Sequence, residues 1–325
     1  MRVFKPIFAG LVVALTFASS ANAASPKPAK AEAPPVPLLW KVSDADNDLY
    51  LLGSFHLLKT GDYPLSSDID DAFADAEELV FELSPAEIGS PDLAMKMAQA
   101  AARTNGKALY TDLPPMTAAQ LDEWASANVE NLARIGLQPR LLQVFDAWFV
   151  GLTITIVEMG KQGLDPMLGL DRHMAGKAKD ASKPTEGLEL GAEQIAFFDA
   201  MSASEQLQFL DEALSMSSGD GAKEVETLHK AWREGDADAL WRAMTQEMRK
   251  EYPQLYKRII VARNDAWVPK LERRLKREGT ADTLAVVGAA HLLGEDGVVE
   301  KLRAKGYTVE RICSACPSDS KAGAK

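Results

Sequence analysis

The chain has 325 residues, 46% of them apolar and 26% charged, which suits a globular protein of one large domain or two ordinary ones. Lys and Arg number 36 against 47 Asp and Glu, and a formal charge of -11 argues against binding to nucleic acid or to anionic membrane surfaces. Its 2 cysteines are too few for a disulfide scaffold or a four-thiolate zinc site.

Residues 1–23 carry the three parts of a secretory signal. Arg2 and Lys5 form a basic start, residues 7–17 are an apolar stretch, and Ala21-Asn22-Ala23 is a small-x-small cleavage pattern. A membrane anchor is the competing reading, but the apolar stretch is short for a bilayer and no basic stop-transfer follows. Cleavage after Ala23 predicts a periplasmic or secreted protein with no stable membrane insertion. Residues 24–37 (SPKPAKAEAPPVP from Ser25) form a Pro/Ala-rich linker, and the polar residues 317–325 form a disordered tail. A single domain is expected between them, over 38–316.

Two short apolar runs, 38–42 and 49–53, flank a Ser-Asp-rich turn and predict a hairpin. Ile69, Ala72, Phe73 and Ala76 at helical spacing follow a Ser66-Ser67 start, and residues 79–83 (LVFEL) read as a buried strand. Strand, helix and strand make a βαβ unit, with parallel strands and a right-handed crossover. The same order returns at the other end: strand 283–287, helix 296–304 stopped at Gly306, strand 307–312. Between them, about 90–278, the pattern is mostly helical, with candidates at 91–103, 118–135, 140–159, 192–216, 222–233, 237–251 and 255–278. The apolar run 147–157 is far short of the roughly 20 residues a spanning helix needs, so a core helix is the better reading. Residues 183–190 (KPTEGLEL) hold one more short strand. The expected fold class is α/β, a largely parallel sheet from N- and C-terminal βαβ units with a large helical insertion.

Two of the 4 histidines sit in matching contexts, LLGSFHLL around His56 and VVGAAHLL around His291. Each follows an apolar strand with Gly-x-x-His, at the strand end where open α/β sheets bind ligands. The glycine allows close backbone approach there, and the histidine projects into the crevice. Core histidines satisfied by backbone carbonyls are the competing reading. Glu82 is the only charge in its strand, and a carboxylate among apolar neighbours needs a partner or a metal. Glu189 ends the short strand Gly187-Leu188-Glu189, where a surface glutamate is the simpler reading. Two imidazoles with one or two carboxylates suit zinc, manganese, iron or cobalt. Arg263, in a helix with Ile260 and Trp267, either stabilises an oxyanion or makes a structural ion pair. His173 reads as structural or as support behind the ligands, and His229 as a surface residue of an ordinary helix. Cys313 and Cys316, in an oxidising compartment and beside a tail, favour a small disulfide over redox chemistry. No Gly-x-Ser-x-Gly elbow, His-Glu-x-x-His helix or Gly-rich phosphate loop is present.

These segments together resemble the TraB/GumN family, related to the Tiki ectodomains. The pieces are LLWKVSDADNDLYLLGSFHLL, YPLSSDIDDAFADAEELVFEL, GLDPMLGLDRHM, KPTEGLELGAEQIAFF, RNDAWVPKLERRL and VVGAAHLLGEDGVVEKLRAKGYTVERI, in order along nearly the whole mature chain. The resemblance implies a fold similar to the erythromycin-esterase and haem-binding ChaN group. Its two Gly-x-x-His motifs fall on His56 and His291, its acidic position on Glu82, its basic helix position on Arg263 and its Gly-Leu-Glu on Glu189. Tiki proteins look like metal-dependent peptidases. The reading is therefore an exported metal-dependent hydrolase: His56, Glu82 and His291 hold a divalent transition metal (Mn, Co, Zn or Fe), while Glu189 and Arg263 are catalytic, on a peptide or small-molecule substrate. A non-catalytic binder of metal, haem or peptide is the alternative, with haem behind a simple metal ion. A role in envelope polysaccharide production rests only on the GumN name.

Overall fold

A computed structural model describes residues 33–316 except Gly89 and Ser218, so the expected signal peptide and disordered tail lie outside the described residues. Six strands form one sheet: β1 (Leu39–Ser43), β2 (Asp48–Ser54), β3 (Glu78–Leu83), β4 (Thr185–Glu189), β5 (Thr283–Gly288) and β6 (Thr308–Arg311). Their order is β4-β3-β5-β2-β1-β6. β2, β3, β4 and β5 run parallel, while β1 is antiparallel to both β2 and β6. The α/β class and the mostly parallel sheet are as expected from the sequence.

Every residue of β5 is buried, as expected of a parallel strand covered on both faces. β6 alternates exposed and half-buried positions at the sheet edge. The predicted hairpin is present, with Ser43 opposite Asp48. The strands flanking the helix Ser67–Asp75 are parallel, but they are not neighbours: β5, from the far end of the chain, lies between them. The short strand expected within residues 183–190 is present as β4, and it extends the sheet beyond β3.

Several expected long helices are broken. Residues 118–135 divide into Pro115–Ala127 and Val129–Arg134. Residues 192–216 divide into Gly191–Asp199 and Ala203–Ser215, the second opened by a Ser202–Glu205 capping box. Residues 140–159 begin as a 3-10 turn, Pro139–Val144, before the helix Ala147–Lys161. π turns at Arg242–Gln246 and Lys257–Val261 interrupt the two expected helices that follow residue 236.

The helix Ala147–Lys161 is buried from Ala147 to Met159. Its Trp148, Phe149, Leu152 and Ile156 join the core over the sheet, whereas Val150, Ile154 and Val157 join a second core with Leu121, Trp124 and Leu210. A helix shared by two cores must be apolar all round, which explains the run that looked membrane-like. Among the described residues no helix is long and apolar enough to cross a membrane.

The last residues of the expected linker are fastened to the body. The Val36 N–H donates to the Arg233 carbonyl at 2.8 Å, and the Pro35 carbonyl accepts from the Ser66 N–H at 2.9 Å. Cys313 and Cys316 form a disulfide just after β6.

Candidate functional site

His56, Glu82, Glu189 and His291 all lie at the carboxyl ends of the parallel strands β2, β3, β4 and β5. The topology thus brings together four residues from distant parts of the chain, at the edge where such sheets place their ligands.

The two Gly-x-x-His turns leave adjacent strands, with Ser54 paired to Gly288. A Cβ on Gly53 would stand 3.0 Å from the Leu38 Cβ and 3.3 Å from the Ala289 Cβ, so close packing of the turns explains that glycine. Gly288 faces the site instead. A Cβ there would lie 3.0 Å from Glu82 Oε1, 3.4 Å from His56 Nε2 and 3.6 Å from the His291 ring.

The segment leading into the helix Leu170–Asp180 clamps the first turn. The Leu170 N–H donates to the Phe55 carbonyl, and Gly169 packs directly against the backbone of His56. Asp171, in the first turn of that helix, accepts from Ser54 Oγ at 2.5 Å and bonds His56 Nδ1 at 2.6 Å. Nε2 of His56 is left facing Glu82 Oε1 at 3.8 Å. Burial lowers the affinity of His56 for a proton, but Asp171 and then Glu82 outweigh it and lift the pKa to about 9.

Arg263, buried in the helix Ala262–Leu275, is the hub of the second half of the site. Its Nη2 donates to Glu82 Oε2 at 2.5 Å and to Glu189 Oε1 at 2.6 Å, its Nε to both oxygens of Glu189 at 3.1 Å, and its Nη1 to His291 Nε2 at 3.0 Å. Trp267 Nε1 and Gln194 Nε2 add donors to Glu189 at 3.0 and 2.7 Å. The Arg263 guanidinium also stacks 4.7 Å from the Trp267 ring. Burial alone would raise the pKa of Glu82, yet Arg263, the two histidines and the Gly288 N–H hold it well below the ordinary carboxylate range. His291 is pushed the other way, down to about 3, by burial and then by Arg263. Its Nδ1 bonds Asn264 Oδ1 at 2.8 Å.

The five residues expected from the sequence thus form one centre. Glu189 is no surface residue: it is buried and serves the arginine. Asp171, Gln194, Asn264 and Trp267 went unassigned from the sequence. Asp171 lies in the family-like segment GLDPMLGLDRHM, and Asn264 and Trp267 lie one and four positions after Arg263, on the same helix.

His229 is a correction. It is buried, not on the surface, and its Nε2 bonds Asp62 Oδ2 at 2.8 Å. Asp62 is itself fully buried, bonded by Arg233 as well, and these partners outweigh burial to lower its pKa. From the same helix, Gly219–Arg233, Trp232 Nε1 donates to the Gly53 carbonyl at 3.0 Å, so this helix braces the first turn. A helical pattern of spacing does not show which face meets a buried acid. His173 is partly exposed and lies against Tyr63, with ring centroids 4.3 Å apart.

The donor set suits a divalent transition metal in part. His56 Nε2 and Glu82 Oε1 border the space that Gly288 keeps open, and the buried Gln194 Oε1 has no hydrogen-bond partner among the described residues. His291 Nε2, by contrast, is engaged by Arg263. Among the described residues, the group of three whose ligand atoms all lie within 4.8 Å of one another is Asp48, Asp75 and Asp282, at the opposite end of the strands. His56, Glu82 and His291 are not drawn together that closely.

A mostly parallel α/β sheet with two histidine turns and a buried arginine–carboxylate network defines a protein with a polar centre at its strand ends. The family model of the TraB/PrgY/gumN family matches residues 38–311, and the chain belongs to that family. No curated protein and no solved structure matches the chain.

Proposed function

We propose that this protein is an exported metal-dependent hydrolase acting on peptide bonds, with His56, Glu82 and His291 holding the cation. The space beside Gly288 carries this reading: an imidazole nitrogen and a carboxylate oxygen border a gap that any side chain at position 288 would fill. Both histidines have their Nδ1 fixed by a neighbour and their Nε2 turned inward, as metal-binding imidazoles do. A divalent cation bound there would polarise a carbonyl and lower the pKa of a bound water.

The chain's own groups prepare that chemistry. Asp171 orients His56, and the Gly288 N–H with Arg263 orients Glu82. His291 Nε2 would be free to hold the cation once its bond to Arg263 Nη1 is released, and Arg263 would then remain as a donor for negative charge on the substrate. Glu189, expected from the sequence to be catalytic, is better read as the anchor of Arg263. Its two oxygens already accept from Arg263, Trp267 and Gln194. The Cys313–Cys316 disulfide supports an oxidising compartment.

The purified mature protein should contain divalent metal and cleave amide or ester bonds in a chelator-sensitive way. His56→Ala/His291→Ala should lose both properties, and equal metal content in wild type and variant would remove the assignment. The arginine bond to His291 favours a second reading, a peptide-binding protein without turnover, in which Arg263 stays in place. Hydrolysis by the wild type would end that reading. A Soret band without hydrolysis would point to a haem binder instead.

A further inference from the structure

The helix that supplies Arg263 also supplies the partner of His291 on the other side of its ring. Asn264 is fully buried, and its amide makes three hydrogen bonds. Nδ2 donates to the Asp296 carbonyl at 2.7 Å and to the His291 carbonyl at 3.2 Å, and Oδ1 lies 2.8 Å from His291 Nδ1. Carbonyl oxygens only accept, so the two carbonyls fix which end of the amide is nitrogen. A flipped amide would set an oxygen against both carbonyls and leave them unpaired, a costly arrangement in a buried site. The orientation of Asn264 therefore follows from the backbone of the turn and needs no assumption about the histidine.

That orientation decides the histidine. Oδ1 can only accept, so the proton of the His291 ring sits on Nδ1. On the opposite side Arg263 Nη1 lies 3.0 Å from Nε2, and a guanidinium can only donate, so Nε2 carries a lone pair. Trp267, one turn further along the helix, places its ring centroid 4.5 Å from that of His291. Positions 263, 264 and 267 of one helix thus hold three sides of a single imidazole.

We propose that Asn264 is a positioning residue that presets His291 as the Nδ1–H tautomer and ties it to the Asp296 loop, so that Nε2 is the nitrogen offered to the centre. The ligand role of that nitrogen rests on the metal reading above; the tautomer does not. A carboxylate in this place would still accept from Nδ1–H, but it could not donate to the His291 and Asp296 carbonyls. An amide does both, which suits an asparagine here; Asp171, beside His56, accepts from the Ser54 hydroxyl as well as bonding the ring, which suits a carboxylate.

Nitrogen NMR of histidine-labelled, metal-free protein tests this directly, each ring being assigned with a single His→Gln variant. His291 in the wild type should show a protonated Nδ1 and an unprotonated Nε2. Because Arg263 also donates to Nε2, the contribution of Asn264 is read in the Arg263→Met background, where His291 should keep that pattern with Asn264 or Asn264→Asp and move toward the Nε2–H form with Asn264→Ala. A wild-type His291 protonated on Nε2 would overturn the proposal without any variant having to fold, as would an unchanged pattern in Arg263→Met/Asn264→Ala. Cobalt titration of the wild type and the single Asn264 variants then reads the ligand role separately. Asn264→Ala should bind about 10–100-fold more weakly than wild type, and Asn264→Asp less weakly than that. A wild type that binds no cobalt but shows the expected nitrogen pattern would sink the metal reading and still support the positioning of His291.

Discussion

The two Gly-x-x-His turns share a spacing, end adjacent strands and meet at one centre, but different chemistry holds each. The first is fixed by the Asp171 carboxylate and braced from outside by Trp232, the second by the Asn264 amide and gripped by Arg263. Burial pushes both rings down; Asp171 reverses this at His56, lifting it to about 9, while Arg263 adds to it at His291, down to about 3. The repeated motif specifies where an imidazole is delivered, and the partners specify its charge. Sequence equivalence between two copies of a motif is therefore no guide to equivalence in role.

The largest test of this contrast is removal of the group that separates the two rings. Arg263→Met leaves Glu82 and Glu189 buried without their shared cation, and should cost about 3–5 kcal/mol of stability in denaturant unfolding. Unchanged stability would mean that the network does not hold the second turn. Next, Asp171→Asn gives the first turn an amide like that of the second. Divalent-metal affinity, by titration, should fall about 10–100-fold, and a wild-type value would break the distinction.

The two rings should also give the chelator-treated protein opposite responses to pH. His56 has a folded pKa above its ordinary 6.5, so its contribution to stability is full below that value and is lost as pH rises through about 9. His291 has a folded pKa below 6.5, so its contribution is full above that value and is lost as pH falls toward about 3. Thermal unfolding across that range should show His56→Gln flattening the alkaline side relative to wild type, and His291→Gln flattening the acid side. Slopes of the same sign would show that the rings are alike after all. The smallest effect belongs to the outer brace: Trp232→Phe removes one hydrogen bond to Gly53 and should cost about 1 kcal/mol in the same unfolding assay.

Much of this centre was legible in the sequence because its residues stand out against their surroundings. Glu82 is a charge inside an apolar strand, and the His56 and His291 turns repeat. Strand positions were readable for the same reason, since a buried parallel strand is a short apolar run bounded by turn residues. The partners were not readable. Asp171, Asn264 and Gln194 lie in helices of mixed composition, where an inward polar residue looks like an outward one until packing is known. His229 failed for that reason too. Helix breaks were missed because hydrophobic spacing continues across the Ser202 cap and across both π turns. Strand order was hidden as well, because periodicity along a segment says nothing of which segment lies beside it.

That order has a consequence for how the molecule forms. β5 lies between β2 and β3, and the bond from the Gly288 N–H to Glu82 spans 206 positions of chain. Closing so long a loop is entropically expensive, and folds dominated by distant pairings form slowly. Until residues 283–288 have been synthesised, β2 and β3 each lack the neighbour that completes the sheet, and their inner edges stay open to wrong partners. A chain ending before residue 283 should therefore be a collapsed, aggregation-prone species with no centre at all, and β5 decides when β2 and β3 take their places in the sheet.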